Sequence, residues 1–130
     1  MVRRARINPF GLNWTRFTVA TDSEQTLIGC IQLKPHGAGT AELASLVVAK
    51  PWRRKGVASD LIAAVQQQSA GELWLMCEWR LIPFYERFGF ELKDDPPEMG
   101  AYFRCIWRLA KLARTISFGT LKLAIMRWQQ

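Results

Sequence analysis

Polar and apolar positions change rhythm several times along this 130-residue chain. Residues 15–21 (TRFTVAT) and 26–33 (TLIGCIQL) alternate and are rich in β-branched side chains, which predicts two strands. The polar run 22–25 (DSEQ) predicts a hairpin turn between them. Residues 34–40 (KPHGAGT), with two glycines and a proline, predict a second turn. Residues 41–49 (AELASLVVA) predict a third strand, apolar on both faces toward its end. The chain therefore opens as an antiparallel meander.

Then the period lengthens. Val57, Leu61, Ile62 and Val65 fall on one helical face, and Gly71 suits the stop of that helix. Residues 72–77 (ELWLMC) predict a short buried strand, and 83–89 (PFYERFG) a short helix with proline first and glycine just past its end. Residues 90–92 return to extended chain. Asp95 and Glu98 have the spacing of a capping box, so a helix is expected from there to about residue 114. Its inner face would carry Tyr102, Ile106, Leu109 and Ala113. Its outer face would carry Arg104, Arg108 and Lys111 as a solvated basic stripe. Residues 120–128 predict a last strand. This order implies an α/β fold with a mixed sheet in a single domain spanning residues 1–130.

Composition narrows the class. With 49% apolar residues, disorder is excluded. No apolar run reaches the ~18 residues of a membrane span, and the basic N-terminus lacks the apolar stretch of a secretory signal. Cys30, Cys77 and Cys105 are odd in number and sit in apolar runs, which predicts buried, reduced thiols and a cytoplasmic protein. One histidine and no closely paired cysteines give too few ligands for a structural metal site. The net charge of +7 suits nucleic acid, an anionic membrane or a phosphorylated ligand, and does not choose among them.

The placement of the charges is more selective. In residues 50–62 (KPWRRKGVASDLI) three cations precede a glycine that opens a helix. A helix start leaves up to four N–H donors outside the ladder, and the dipole adds positive potential there. Phosphate is the usual occupant of such a site. Gly56 would allow close approach, Ala58 would keep the second contact small, and Arg53 and Lys55 would add cations at the rim. Neither a P-loop nor a dinucleotide-binding fingerprint is present.

The stretch 48–62 (VAKPWRRKGVASDLI) resembles the acyl-CoA-binding motif of the GNAT N-acetyltransferase superfamily, [QR]-x-x-G-x-[GA], through Arg53, Gly56 and Ala58. Residues 83–90 (PFYERFGF) resemble that family's Y-E-x-x-G-F segment, one helix and one strand downstream. The pair at this spacing is far more specific than either motif alone. The resemblance implies a mostly antiparallel mixed sheet, splayed between the strands at 41–49 and 72–77 so that pantetheine can enter. The diphosphate of acetyl-CoA would meet backbone N–H groups of Arg54, Lys55, Gly56, Val57, Ala58 and Ser59. Pantetheine would pair with the main chain of Leu46, Val47 and Val48, and an N–H near Val48 would polarise the thioester carbonyl. The acetyl group would pass directly to an amine of a small molecule or peptide, without a metal.

By the same resemblance Tyr85 is the general acid to the leaving thiolate. Glu42 is the first candidate for the base, acting directly or through water, and Glu78 the second, near a position where many members carry asparagine. His36 lies in the glycine-rich turn, where a lone histidine reads as polar surface. Trp52 adjoins the phosphate turn and would pack on the adenine or anchor the loop. Family members usually begin with a strand and two helices, whereas fourteen residues precede the first clear strand here. A short member is therefore expected, with a partner chain or a second copy covering the exposed apolar surface. Two rival readings remain: a degenerate acyl-CoA-binding module without turnover, and a basic nucleic-acid-binding domain. The second leaves the Gly56 and Tyr85 motifs unexplained.

Overall fold

A computed structural model describes residues 13–37, 39–94, 99–116 and 123–130. The expected Asp95–Glu98 capping box and residues 120–122 of the last strand lie outside the described residues. The chain divides into two compact units, Met1–Leu73 and Trp74–Gln130.

In the first unit a short 3-10 turn, Trp14–Arg16, leads into β1 (Phe17–Thr21), β2 (Leu27–Gly37), β3 (Thr40–Val48) and α1 (Val57–Gln68). The Asp22 carboxylate closes the β1–β2 turn by accepting the N–H groups of Glu24 (3.0 Å) and Thr26 (2.8 Å). Both strand pairs are antiparallel. β2 runs four residues further than its alternation suggests: Lys34 and Pro35 pair with Glu42 and Ala41, Gly37 pairs with Thr40, and Gly37 and Gly39 are both at positive φ. His36 is therefore a strand residue, not a turn residue.

β3 carries a bulge. Cys30 pairs with Val47 and Gln32 with Ala44, so β3 spends one extra residue there. Ser45 takes it up with φ 55°. A bulge re-aims the side chains on either side of it. Beyond this one, Gln32 stands opposite Ala44 and Lys34 opposite Glu42 on one face of the hairpin.

α1 buries Val57, Leu61, Ile62 and Val65, the face its spacing predicts. Gly29 lets it sit close on β2, since a Cβ there would lie 3.0 Å from Val57 Cγ1 and 3.1 Å from Leu61 Cδ1. Gly71 does not stop the helix. Ser69 does, in extended conformation with its N–H on the Val65 and Gln66 carbonyls. Gly71 is glycine for another reason: any Cβ would collide with the Gly39 carbonyl.

The second unit is built on β4 (Glu72–Glu78), which begins at the end of the first. A 3-10 turn, Trp79–Leu81, leads to α2 (Ile82–Glu86), and then come β5 (Glu91–Leu92), α3 (Ala101–Ile116) and β6 (Leu123–Trp128). β6 lies between β4 and β5. Trp74 stacks on Phe103 with ring centroids 5.2 Å apart, and Met99 and Ile125 complete this core.

Here the phase of α3 departs from expectation. Its inward residues are Phe103 and Trp107, not Tyr102 and Leu109. Two aromatics one turn apart bury more apolar area than the alternative face, and the Trp107 indole gains a bond to the Asp94 carboxylate at 2.9 Å. Tyr102, Leu109 and Leu112 are left exposed. Cys105 is exposed as well, so only Cys30 and Cys77 are the buried thiols expected.

Candidate active site

The turn between β3 and α1 has a left-handed backbone at two places. Arg54 sits at φ 61° and Gly56, the residue before the helix, at φ 87°. A glycine holds that conformation without strain, while an arginine there is unusual. The space beside the Gly56 Cα is open. The first helical bond runs from the Asp60 N–H to the Gly56 carbonyl at 3.0 Å. The N–H groups of Val57, Ala58 and Ser59 thus precede the helical ladder, and no side chain caps them. A ligand with several anionic oxygens suits such an end.

The cations are less mobile than the sequence suggests. Arg53 Nε donates to the Val48 carbonyl at 3.2 Å and ties the turn to the end of β3. Lys55 lies over the Trp52 ring, 5.1 Å from its centroid. Trp52 is therefore at least a loop anchor. A carbonyl has two lone pairs, so the Arg53 contact leaves Val48 able to accept a second bond.

A polar group occupies the β2–β3 face that carries Gln32 and Lys34. Glu42, the first candidate for the base, is buried. Its Oε2 lies 2.9 Å from His36 Nε2, and the side chains are 5% and 21% exposed respectively. Gln32 is buried on the same face. Position in the sequence marked Glu42, whereas the link to His36 depends on how far β2 extends, and no local motif announces that.

Tyr85, on α2, is buried among aromatic rings. Phe84 meets it edge-on at 5.0 Å and Phe90 at 6.0 Å. Burial, with the Cys77 thiol as a smaller cause, pushes its pKa up to about 12. The phenol therefore stays protonated at neutral pH. It is a full-time donor and a weaker acid than in water. Cys77 itself is pushed up to about 11 by burial first and Glu78 second. Glu78 is an exposed carboxylate paired with Arg80 at 2.6 Å.

A sequence model of the acetyltransferase (GNAT) domain matches residues 13–92. The chain belongs to the GNAT acetyltransferase family. The match includes the β3–α1 turn, the His36–Glu42 pair and Tyr85. Solved structures share the fold. The N-acetylglutamate synthase of Neisseria gonorrhoeae, in complex with coenzyme A and N-acetyl-glutamate, is similar at TM-score 0.69 and 18% identity. That likeness covers 88% of this chain and 25% of the synthase, so this chain spans a quarter of that protein's length. A Mycobacterium tuberculosis protein solved with CoA matches at TM-score 0.67 and 16% identity, over 88% of this chain and 76% of its own. The PaiA N-acetyltransferase of Thermoplasma acidophilum, with coenzyme A, matches at TM-score 0.59 and 21% identity, over 88% of this chain and 60% of its own. At these identities the shared property is the fold, an α/β domain of the expected class. No described helix is long and apolar enough to cross a membrane.

Proposed function

We propose that this GNAT domain is an acetyl-CoA-dependent N-acetyltransferase that passes the acetyl group directly from the thioester to an amine of a small molecule or peptide. The observation that carries this reading is the αL glycine opening α1, Gly56, within the stretch that matches the family. The diphosphate binds at the N–H groups of Val57, Ala58 and Ser59, with Arg54, Lys55 and Gly56 forming the wall of the turn and Arg53 bracing it. Pantetheine runs along the main chain of Leu46, Val47 and Val48. Three demands of the reaction then need protein groups. A backbone N–H near Val48 receives the negative charge developing on the carbonyl oxygen. Glu42 serves the deprotonation of the amine. Tyr85, protonated at neutral pH, is the hydrogen-bond donor to the departing sulfur. Free thiols at Cys30 and Cys77 suit work in the cytoplasm.

The test is calorimetry with acetyl-CoA, followed by release of free thiol across a panel of amines. Binding followed by amine-dependent thiol release supports the enzyme. Tight binding without turnover on any amine turns the assignment to an acyl-CoA-binding module. Absence of binding, with affinity for nucleic acid that falls steeply with salt, overturns both.

A further inference from the structure

One side of α3 is spent on its own core, where Phe103 and Trp107 pack with Trp74 and Ile125. A helix turns about 100° per residue, so Ala101, Tyr102, Cys105, Leu109 and Leu112 fall within about 100° of the circumference on the opposite side. All of these are exposed. Single leucines at a surface are ordinary, but these residues form a line. Tyr102, Cys105, Leu109 and Leu112 stand three, four and three residues apart, the a/d repeat of a coiled-coil seam. In that register Arg108 flanks the seam at g, and Arg104 and Lys111 stand one step further round at c. On the other flank Ile106 and Ala113 are half-buried. No acidic residue occurs from Ala101 to Ile116. Lys111 lies over the Trp107 ring, 4.7 Å from its centroid. Arg104 and Arg108 line a hollow on this face together with Ala101, Cys105 and Leu109.

We propose that the outer face of α3 docks one amphipathic helix of a partner protein, apolar at its own a and d positions and acidic on the flank that meets Arg104 and Arg108. Shape selects a helix. A two-row seam is filled by the knobs of a facing helix, whereas a helix lying in a lipid surface needs a broad apolar face. The broad face of α3 is the one already packed on Trp74. Charge selects an acidic partner. A second copy of this chain would set seam against seam, with Arg104, Arg108 and Lys111 meeting their own image and no acid on either helix to pair with them. Nucleic acid would satisfy the cations and leave the leucines in water. This docking is independent of the acetyl-transfer reading.

The probe is a synthetic three-heptad peptide with leucine at a and d and glutamate at e and g. Its control carries lysine at e and g. Binding to the intact chain is read by fluorescence anisotropy of the labelled peptide and by the helicity it gains. The glutamate peptide should bind about tenfold tighter than the lysine peptide, as two arginines facing acids instead of cations imply. The preference should shrink as salt rises. The double variant Leu109→Glu, Leu112→Glu should weaken binding of the glutamate peptide at least about 100-fold, because two carboxylates would enter a dry seam. The double variant Arg104→Glu, Arg108→Glu should turn the preference toward the lysine peptide, a gain that no loss of folding imitates. Equal binding of the two peptides, binding that survives both leucine changes, or no binding at millimolar peptide overturns the proposal. So does either of two other results obtained with the leucine variant as control. Sedimentation of the wild type onto phosphatidylglycerol vesicles, lost in that variant while neither peptide binds, assigns the face to lipid. A wild-type dimer in analytical ultracentrifugation that the variant breaks assigns it to a second copy.

Discussion

The β2–β3 face and the outer face of α3 depart from the ordinary inside–outside pattern in opposite directions. On β2–β3 the polar side chains of Gln32 and Glu42 are buried. On α3 the apolar side chains of Leu109 and Leu112 are each 58% exposed. A buried carboxylate is costly unless another group compensates it, and His36 does so at 2.9 Å. An exposed leucine costs little by itself, because much of any protein surface is apolar. A hollow of about 510 Å³ lies on the α3 face, lined by Ala101, Arg104, Cys105, Arg108 and Leu109, with no acid–base pair in it. The β2–β3 face has the buried contact between Glu42 and His36 instead.

The strongest way to break this contrast is to cut both sides of α3. Phe103 is buried against Trp74, while Leu109 faces solvent on the same helix. Phe103→Ala should cost about 3–5 kcal/mol in urea denaturation, and Leu109→Ala should stay within about 0.5 kcal/mol. Equal losses would show that the outer face is packed in solution and that the contrast with β2–β3 is false.

At the β3–α1 turn, Gly56→Glu puts a carboxylate where the proposed ligand's anionic oxygens would sit. Acetyl-CoA affinity should fall at least about 100-fold, or about 2.7 kcal/mol, read by calorimetry. Gly56→Ala is the control, because φ 87° strains any side chain while the space around it is open. That variant should lose about 1 kcal/mol of stability and keep most of its binding. If Gly56→Glu binds acetyl-CoA as the wild type does, the turn is not the diphosphate site.

Burial of Tyr85 has a pH signature. Unfolded tyrosine ionises near its ordinary value of 10.0, and the folded one near 12. Above pH 10 the unfolded chain gives up this proton first, so the stability tied to the protonated phenol is present below pH 10 and lost on the way to 12. The slope should approach 1.4 kcal/mol per pH unit, roughly 3 kcal/mol in all. Cys77 acts in the same direction between 9.0 and about 11, so the comparison belongs in a Cys77→Ala background. There, Tyr85→Phe should flatten the alkaline loss of stability. An unchanged slope would mean that the phenol is solvated.

Much of the fold is legible in the chain because its signals are local. Val57, Leu61, Ile62 and Val65 declare α1, and the Pro83–Gly89 asymmetry declares α2 with its turn. The failures are non-local. Gly71 resembles a helix stop, and only the Gly39 carbonyl packed against it explains why it is glycine. Ser45 has no feature that announces a left-handed bulge, yet that bulge sets which β3 residues share the Glu42 face. Along α3, apolar residues cover two sides of the helix, so periodicity alone could not choose the buried one. Trp74 on β4 decides it by stacking on Phe103. At the candidate site, Gly56, Glu42 and Tyr85 are expected from motif and position, whereas the contact of Glu42 with His36 depends on Pro35 pairing with Ala41 and carrying β2 onward.

The smallest effect is expected where the contrast began, on the outer face of α3. The double variant Leu109→Glu, Leu112→Glu adds two acids to a helix whose described charged side chains are Arg104, Arg108 and Lys111. Position 112 lies one turn from Arg108, and such a pair adds only about 0.2–0.5 kcal/mol. Removing two exposed leucines costs similarly little. The denaturation midpoint should therefore move by less than about 0.5 kcal/mol, with acetyl-CoA binding as in the wild type. A loss above about 1 kcal/mol would mean that these leucines are buried in solution. The outer face of α3 would then obey the ordinary inside–outside rule, and of these two faces only β2–β3 would depart from it.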